Sequence, residues 1–241
     1  MNLWIRNVGF HTKVFIKIFF LFLKKLLIGG VLASITLHSS SNSMNFLAHS
    51  YLTFSDEQIV GQFLEDFIRN SERYSFPEKI QQGITLHREI DTFTDAHPEI
   101  SEAKKIFSPL VRLYSGAFVD VAFDYFLANS IPDQVLFEHS QKVYRVLWEN
   151  EKYLPANFIL MLEKMEKDNW LYNYKEDWGI KFSMQNVLNK AKYLDKNLAV
   201  FGVFLSNKPL FQKHFDIFFP ELMDHVTKIN SDFRSFYRDN D

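Results

Sequence analysis

The sequence predicts an all-α protein, and three observations carry that prediction. From Met44 onward apolar residues recur at intervals of three or four, as Leu47, Tyr51, Phe54, Ile59, Phe63 and Phe67 do, which places them along helical faces. The stretch 58–69 contains neither a proline nor an alternating polar/apolar pattern. Prolines fall where helices would open, in Phe76-Pro77-Glu78 and His97-Pro98-Glu99, near the first helical position that proline tolerates.

The elements follow in order. After the helical stretch through 58–69, a helix is expected over 78–93. Asp95 is expected to cap the next helix, which carries Ile100, Ala103, Ile106 and Phe107. Pro109 marks a predicted break. A strongly apolar helix then holds Val119, Val121, Ala122, Phe123, Phe126 and Leu127, with Asp120 and Asp124 inside it. Ionised side chains are rarely buried unpaired, so these two aspartates either call for a partner or form an exposed acidic stripe. Ile131-Pro132-Asp133 separates this half from helices expected at 133–148, 156–169, 183–193 and 208–237.

Composition narrows the chemistry. An apolar fraction of 47% is ample for a core, and the 26 phenylalanines point to an aromatic one. The chain has no cysteine, which excludes disulfides, thiolate zinc sites and cysteine nucleophiles. Any metal must be held by His, Asp, Glu, backbone or water. The net charge of −2 is not a nucleic-acid-binding balance. It conceals an asymmetry, because residues 1–43 carry Arg6, Lys13, Lys17, Lys24 and Lys25 and no acid. Their apolar run, 14–37, is broken by lysines, and its clean piece at 26–37 is shorter than the roughly 20 residues of a spanning helix. Three accounts compete for residues 1–43: an export or anchor sequence, a basic extension, or upstream sequence before a start at Met44. The expected domains are therefore that extension and one domain over 44–241.

The stretch GITLHREIDTFTDAHP, residues 83–98, places His87 and Asp91 four residues apart on one helical face, with Arg88 beside them. Such a pair can share a divalent metal or a proton, or be a surface ion pair. His49, Asp66, Asp95, Asp120 and Asp124 fall in the same half of the chain. A helical bundle can converge such side chains on a metal. Oxygen ligands with one or two imidazoles suit Mn²⁺, Mg²⁺ or Fe²⁺. A site of this kind performs metal-assisted hydrolysis. No Gly-rich phosphate loop, nucleophile elbow, HExxH or EF-hand pattern occurs.

Four segments carry a family resemblance: MNFLAHSYL at 44–52, GQFLEDF at 61–67, the stretch 83–98, and DVAFDYFLA at 120–128. Together with NWLYNY at 169–174 and FDIFFPELM at 215–223, they resemble the acyl carrier protein phosphodiesterase family. That family removes 4′-phosphopantetheine from holo-acyl carrier protein and is similar to HD-domain phosphohydrolases that favour manganese. The resemblance implies an HD-domain-like helical bundle in the cytoplasm, with Mn²⁺ as metal and holo-acyl carrier protein as substrate. It also implies a start at Met44, with no membrane partner unless residues 14–37 form an anchor. Carried over by motif, His49, Asp66, His87 and Asp124 are metal ligands. Asp91 or Asp120 orients or deprotonates the attacking water, and Arg88 contacts phosphate oxygens. Two positions depart from the family pattern: Tyr125 stands where a histidine is frequent, and Gln62 replaces a usual asparagine. An HD-like nucleotide or alarmone hydrolase, and a non-catalytic helical binding protein, are the competing readings.

Overall fold

In the computed structural model, which describes residues 46–238, the regular elements of the described residues are all helical. The extension expected over 1–43 lies outside the described residues. In chain order the helices are α1 (Phe46–Tyr51), α2 (Asp56–Leu64), α3 (Glu78–Ala96), α4 (Pro98–Val111) and α5 (Ser115–Ser130). The second set is α6 (Asp133–Glu149), α7 (Ala156–Lys167), α8 (Trp170–Asn173), α9 (Asp177–Lys190) and α10 (Val200–Arg238).

Local chemistry explains the helix starts. Ser55 caps α2 by accepting the Gln58 N–H, and Asp56 and Glu57 place negative charge at the positive end of the helix. Proline stands at the boundary or first residue of four helices: Pro77, Pro98, Pro132 and Pro155. Its fixed φ suits a helix entry, where the missing N–H costs nothing.

Several sequence expectations need correction, and the helix expected at 183–193 spans Asp177–Lys190. Asp95 does not cap α4, because α3 runs on through Ala96; the cap is His97, whose Nδ1 accepts the Glu99 N–H. Asp95 is instead an exposed partner of Lys104 at 2.8 Å. Pro109 does not break α4, which continues to Val111. Proline there deprives the Lys105 carbonyl of its helical N–H, and the Ser108 hydroxyl donates to that carbonyl at 3.2 Å. The chain turns at Arg112 instead, where φ is 53°. The last helix begins at Val200, eight residues before the expected start, with Pro209 inside it. Phe204 and Phe211 on either side of Pro209 are both fully buried, and packing of this kind overrides local propensity.

The phenylalanines form the expected aromatic core. Phe107 of α4 meets Phe118 of α5 at 5.7 Å and Phe211 of α10 at 4.9 Å between ring centroids. Phe123 and Phe126 of α5 meet Phe215. Residues 98–130 are the one described run long and apolar enough to cross a membrane. The turn at Arg112 divides that run, and Phe107, Val111, Phe118, Val119 and Ala122 within it are buried in the core.

The backbones of α2 and α3 approach closely. A Cβ on Gly61 would collide with the Ile80 carbonyl, and one on Gly83 would fall against the Gln58 carbonyl and 2.8 Å from the Gln58 Cα. Only glycine on both helices lets the backbones touch. Gln62 follows Gly61, and His87 lies one turn beyond Gly83, so this contact brings the two side by side.

His139 of α6 meets the Ser50 hydroxyl of α1 at 3.0 Å. Burial and the nearby Lys142 push its pKa down to about 4. The unfolded chain takes up this proton near pH 6.5 and the folded chain resists it, so the contribution of His139 to stability, read as the difference between parent and a His139→Gln variant, should fall as pH drops from about 6.5 towards 4 and level off below. The loss should be about 2–3 kcal/mol. Urea unfolding at pH 7 and pH 4.5 checks this; a His139→Gln variant with the same pH dependence as the parent would overturn it.

Candidate metal centre

His49 is buried on α1 and His87 on α3, and their rings stack with centroids 3.9 Å apart at 14°. Gln62, on α2, holds both. The Nδ1 of His49 lies 2.8 Å from Gln62 Oε1, and the Nδ1 of His87 lies 2.8 Å from the Gln62 carbonyl oxygen. An oxygen acceptor at each Nδ1 requires the proton there, which leaves both Nε2 atoms as lone-pair donors when the rings are neutral.

Both Nε2 atoms face Asp91, one turn after His87. Its Oδ1 lies 3.4 Å from His49 Nε2 and its Oδ2 lies 3.3 Å from His87 Nε2. Two imidazole lone pairs and a carboxylate repel one another unless a proton or a metal cation sits among them. Of the two nitrogens, His49 Nε2 is buried with no hydrogen-bond partner. The donor atoms of His49, His87 and Asp91 all lie within 4.8 Å of one another. An orphaned buried nitrogen, a second imidazole and a carboxylate fit a divalent ion, and the fixed Nδ1 hydrogen bonds are the outer support such ligands need.

The electrostatics reflect the crowding. Burial lowers the pKa of His49, and the neighbouring His87 lowers it further. Burial also opposes the charge on His87, but Asp91 and Asp66 outweigh it and raise that group. Asp91 would be raised by burial, yet the two imidazoles hold it well below the usual carboxylate range. Asp66 lies 4.0 Å from His87 Nε2 and is pushed up to about 7, chiefly by burial and further by the charges of Asp91 and Glu65.

The structure thus brings His49, His87 and Asp91 together, with Asp66 at the edge. Asp124, expected among the ligands, is not in that group. Its Oδ2 accepts the Leu47 N–H at 3.2 Å and its Oδ1 accepts the Ala48 N–H at 3.0 Å. Those are free N–H groups at the start of α1, so Asp124 anchors the helix that carries His49. Burial drives its pKa far up despite these bonds. Asp120 and Asp124 line a small cavity with Ala48, Ile90 and Thr94. Arg88 donates to Glu65 and to Asn70, each at 2.7 Å, so a phosphate would share it with those groups. Tyr125 packs edge-on against Phe204 at 5.3 Å and accepts from Lys208 at 3.0 Å. The departure from histidine therefore faces α10.

Sequence reasoning named Gln62 only as a departure from the family's usual asparagine, and it passed over Gly61 and Gly83. Glycines inside helical patterns were the available signal, since they weaken a helix and need a packing reason.

By fold and site this is a helical protein in which two buried imidazoles and a carboxylate converge on one candidate metal position. Residues 44–222 match the family model described as acyl carrier protein phosphodiesterase, and the chain belongs to that family. A Yersinia pestis protein named acyl carrier protein phosphodiesterase is 30% identical over 188 residues, which cover 75% of this chain and 96% of the relative. One of the same name from Enterobacter sp. (strain 638) is 32% identical over 162 residues, 63% of this chain and 81% of the relative. No solved structure gives a significant match.

Proposed function

We propose that this protein hydrolyses the phosphodiester between 4′-phosphopantetheine and the serine of holo-acyl carrier protein, releasing 4′-phosphopantetheine and leaving the apo-protein. The observation that carries this reading is the convergence of His49, His87 and Asp91 in a chain of this family. These three residues would hold the ion, with Mn²⁺ preferred and Mg²⁺ or Fe²⁺ as alternatives for a mixed imidazole and carboxylate set. When bound, the ion supplies positive charge beside the phosphate and makes a nearby water more acidic.

The chain's own groups do the rest. Asp66, poised near neutrality, accepts the proton of the attacking water, a role first assigned to Asp91 or Asp120. Arg88 offers a fixed charge to phosphate oxygens. Asp124 keeps α1 in place, and with it His49. The fold is read as HD-like because a buried histidine and an aspartate on one helix meet a histidine from another. The enzyme works in the cytoplasm, where its substrate resides.

The test is incubation of the full chain with holo-acyl carrier protein and Mn²⁺, followed by intact mass. The expected result is loss of the prosthetic group, blocked by EDTA. No release from a metal-loaded protein that does cleave nucleotides or alarmones would favour the nucleotide hydrolase. Absence of both release and bound metal would favour a binding protein.

A further inference from the structure

Beside the metal centre lies a groove of about 500 Å³ between α7 and α9. It starts at Phe67, the residue after Asp66, and Lys190 on its wall lies within electrostatic reach of the Asp66 carboxylate. Each helix contributes a stripe. On α9 the lining residues Phe182, Asn186, Asn189 and Lys190 recur at helical spacing, and on α7 Asn157, Leu160 and Lys164 do the same. Phe182 is 46% exposed and Leu160 is 61% exposed, so apolar surface here is left to water. None of the lining residues is acidic. In the same wall, the indole Nε1–H of Trp170 is buried without an acceptor among the described residues.

We propose that this groove binds the pantetheine arm of the substrate, with Lys190 towards the phosphate and Asn157, Asn186 and Asn189 bonding the arm's amides. The inference rests on the phosphodiesterase reading. It commits to the arm because the lining matches that chain group by group. Pantetheine is an uncharged run of methylenes and a dimethyl carbon interrupted by a hydroxyl and two amides. Side-chain amides pair with amides, Phe67, Leu160 and Phe182 cover the apolar carbons, and the cation lies at the end nearest the reacting bond. Such pockets are mostly apolar, with a few polar groups fixing orientation.

The probe is pantetheine itself, which lacks the phosphate, added to the full chain after metal removal by EDTA. Trp170 and Trp178 stand at the groove and its neighbouring cavity, so a saturable change in tryptophan fluorescence is expected at millimolar pantetheine. Asn186→Leu and Phe182→Ser should each weaken it by about tenfold. Both sit at exposed or half-exposed positions, and unchanged melting temperatures establish that they fold. With metal restored, both should raise KM for holo-acyl carrier protein and leave cleavage of a small aryl phosphodiester unchanged. Absence of pantetheine binding, or binding equal in parent and variants, overturns the proposal. So does binding of apo-acyl carrier protein that these substitutions abolish while pantetheine has no effect, since the groove would then dock protein. Pantetheine binding sensitive to both substitutions, in a chain that leaves holo-acyl carrier protein intact, sinks the phosphodiesterase reading and keeps the groove.

Discussion

His87→Ala is expected to remove both bound metal and hydrolysis of holo-acyl carrier protein, with activity falling by more than about 100-fold. Loss of an outer-shell partner typically costs 10–100-fold, and His87 would touch the ion directly. The variant also leaves the buried Gln62 carbonyl without the partner it meets at 2.8 Å, a defect of about 1–3 kcal/mol in stability. Metal analysis separates the two effects. The parent should gain melting temperature on adding Mn²⁺, because a ligand at 100 times its Kd stabilises by about 2.7 kcal/mol. His87→Ala should show no such gain. Gln62→Ala makes the graded comparison, since it removes only the side-chain oxygen facing His49 and keeps the carbonyl facing His87. It should lose about 10–100-fold. A His87→Ala protein that retains stoichiometric metal and turnover would refute the assignment of the centre.

Gly83→Ala is expected to be among the most destabilising single-methyl changes in the chain. Helix propensity alone favours alanine by about 1 kcal/mol. Against this, the new methyl would overlap the Gln58 carbonyl and lie 2.8 Å from its Cα, and backbone cannot rotate away as a side chain can. Overpacking costs about 1–3 kcal/mol and occasionally more, so a net loss of about 2 kcal/mol should appear as a lower urea midpoint with unchanged slope. Activity should fall as well, because the same separation of α2 from α3 draws Gln62 away from His87. Gly202→Ala in α10 is the control: a Cβ there meets nothing within 4 Å, so only propensity acts and the change should be neutral or stabilising. Equal behaviour of the two variants would show that helix contact is not what requires Gly83.

Much of the fold was legible because helical period and proline position are local properties. The α3 and α6 starts at Glu78 and Asp133 agree with the expected ones, each following a proline. What misled was proline inside a helix: Pro109 reads as a break, yet a neighbouring hydroxyl sustains the helix there, and the start expected at 208 falls eight residues late because buried phenylalanines carry the helix through Pro209. At the centre, His49, His87 and Asp91 could be named from motif and spacing. Their division of labour could not, because it depends on which atoms face one another across helices. Asp124 shows the difficulty best. A buried aspartate in an apolar helix demanded a partner, and the partners are two backbone N–H groups that no residue pattern displays. The anchoring of Leu47, and through α1 of His49, by a carboxylate 77 positions after Leu47 was therefore invisible in sequence.

That bond has a consequence for the order in which the protein can mature. Chains leave the ribosome N-terminus first, at about 5–20 residues per second, so the six residues of α1 emerge well before Asp124. A helix that short is not stable by itself. Until α5 has emerged and folded, α1 lacks its anchor and His49 its fixed position. A growing chain can bring α2 and α3 together, and with them Gln62, His87 and Asp91, while the first ligand in the sequence is the last to be seated. In the proposed centre, seating of His49 therefore waits for α5, and a chain truncated before α5 should bind the ion poorly.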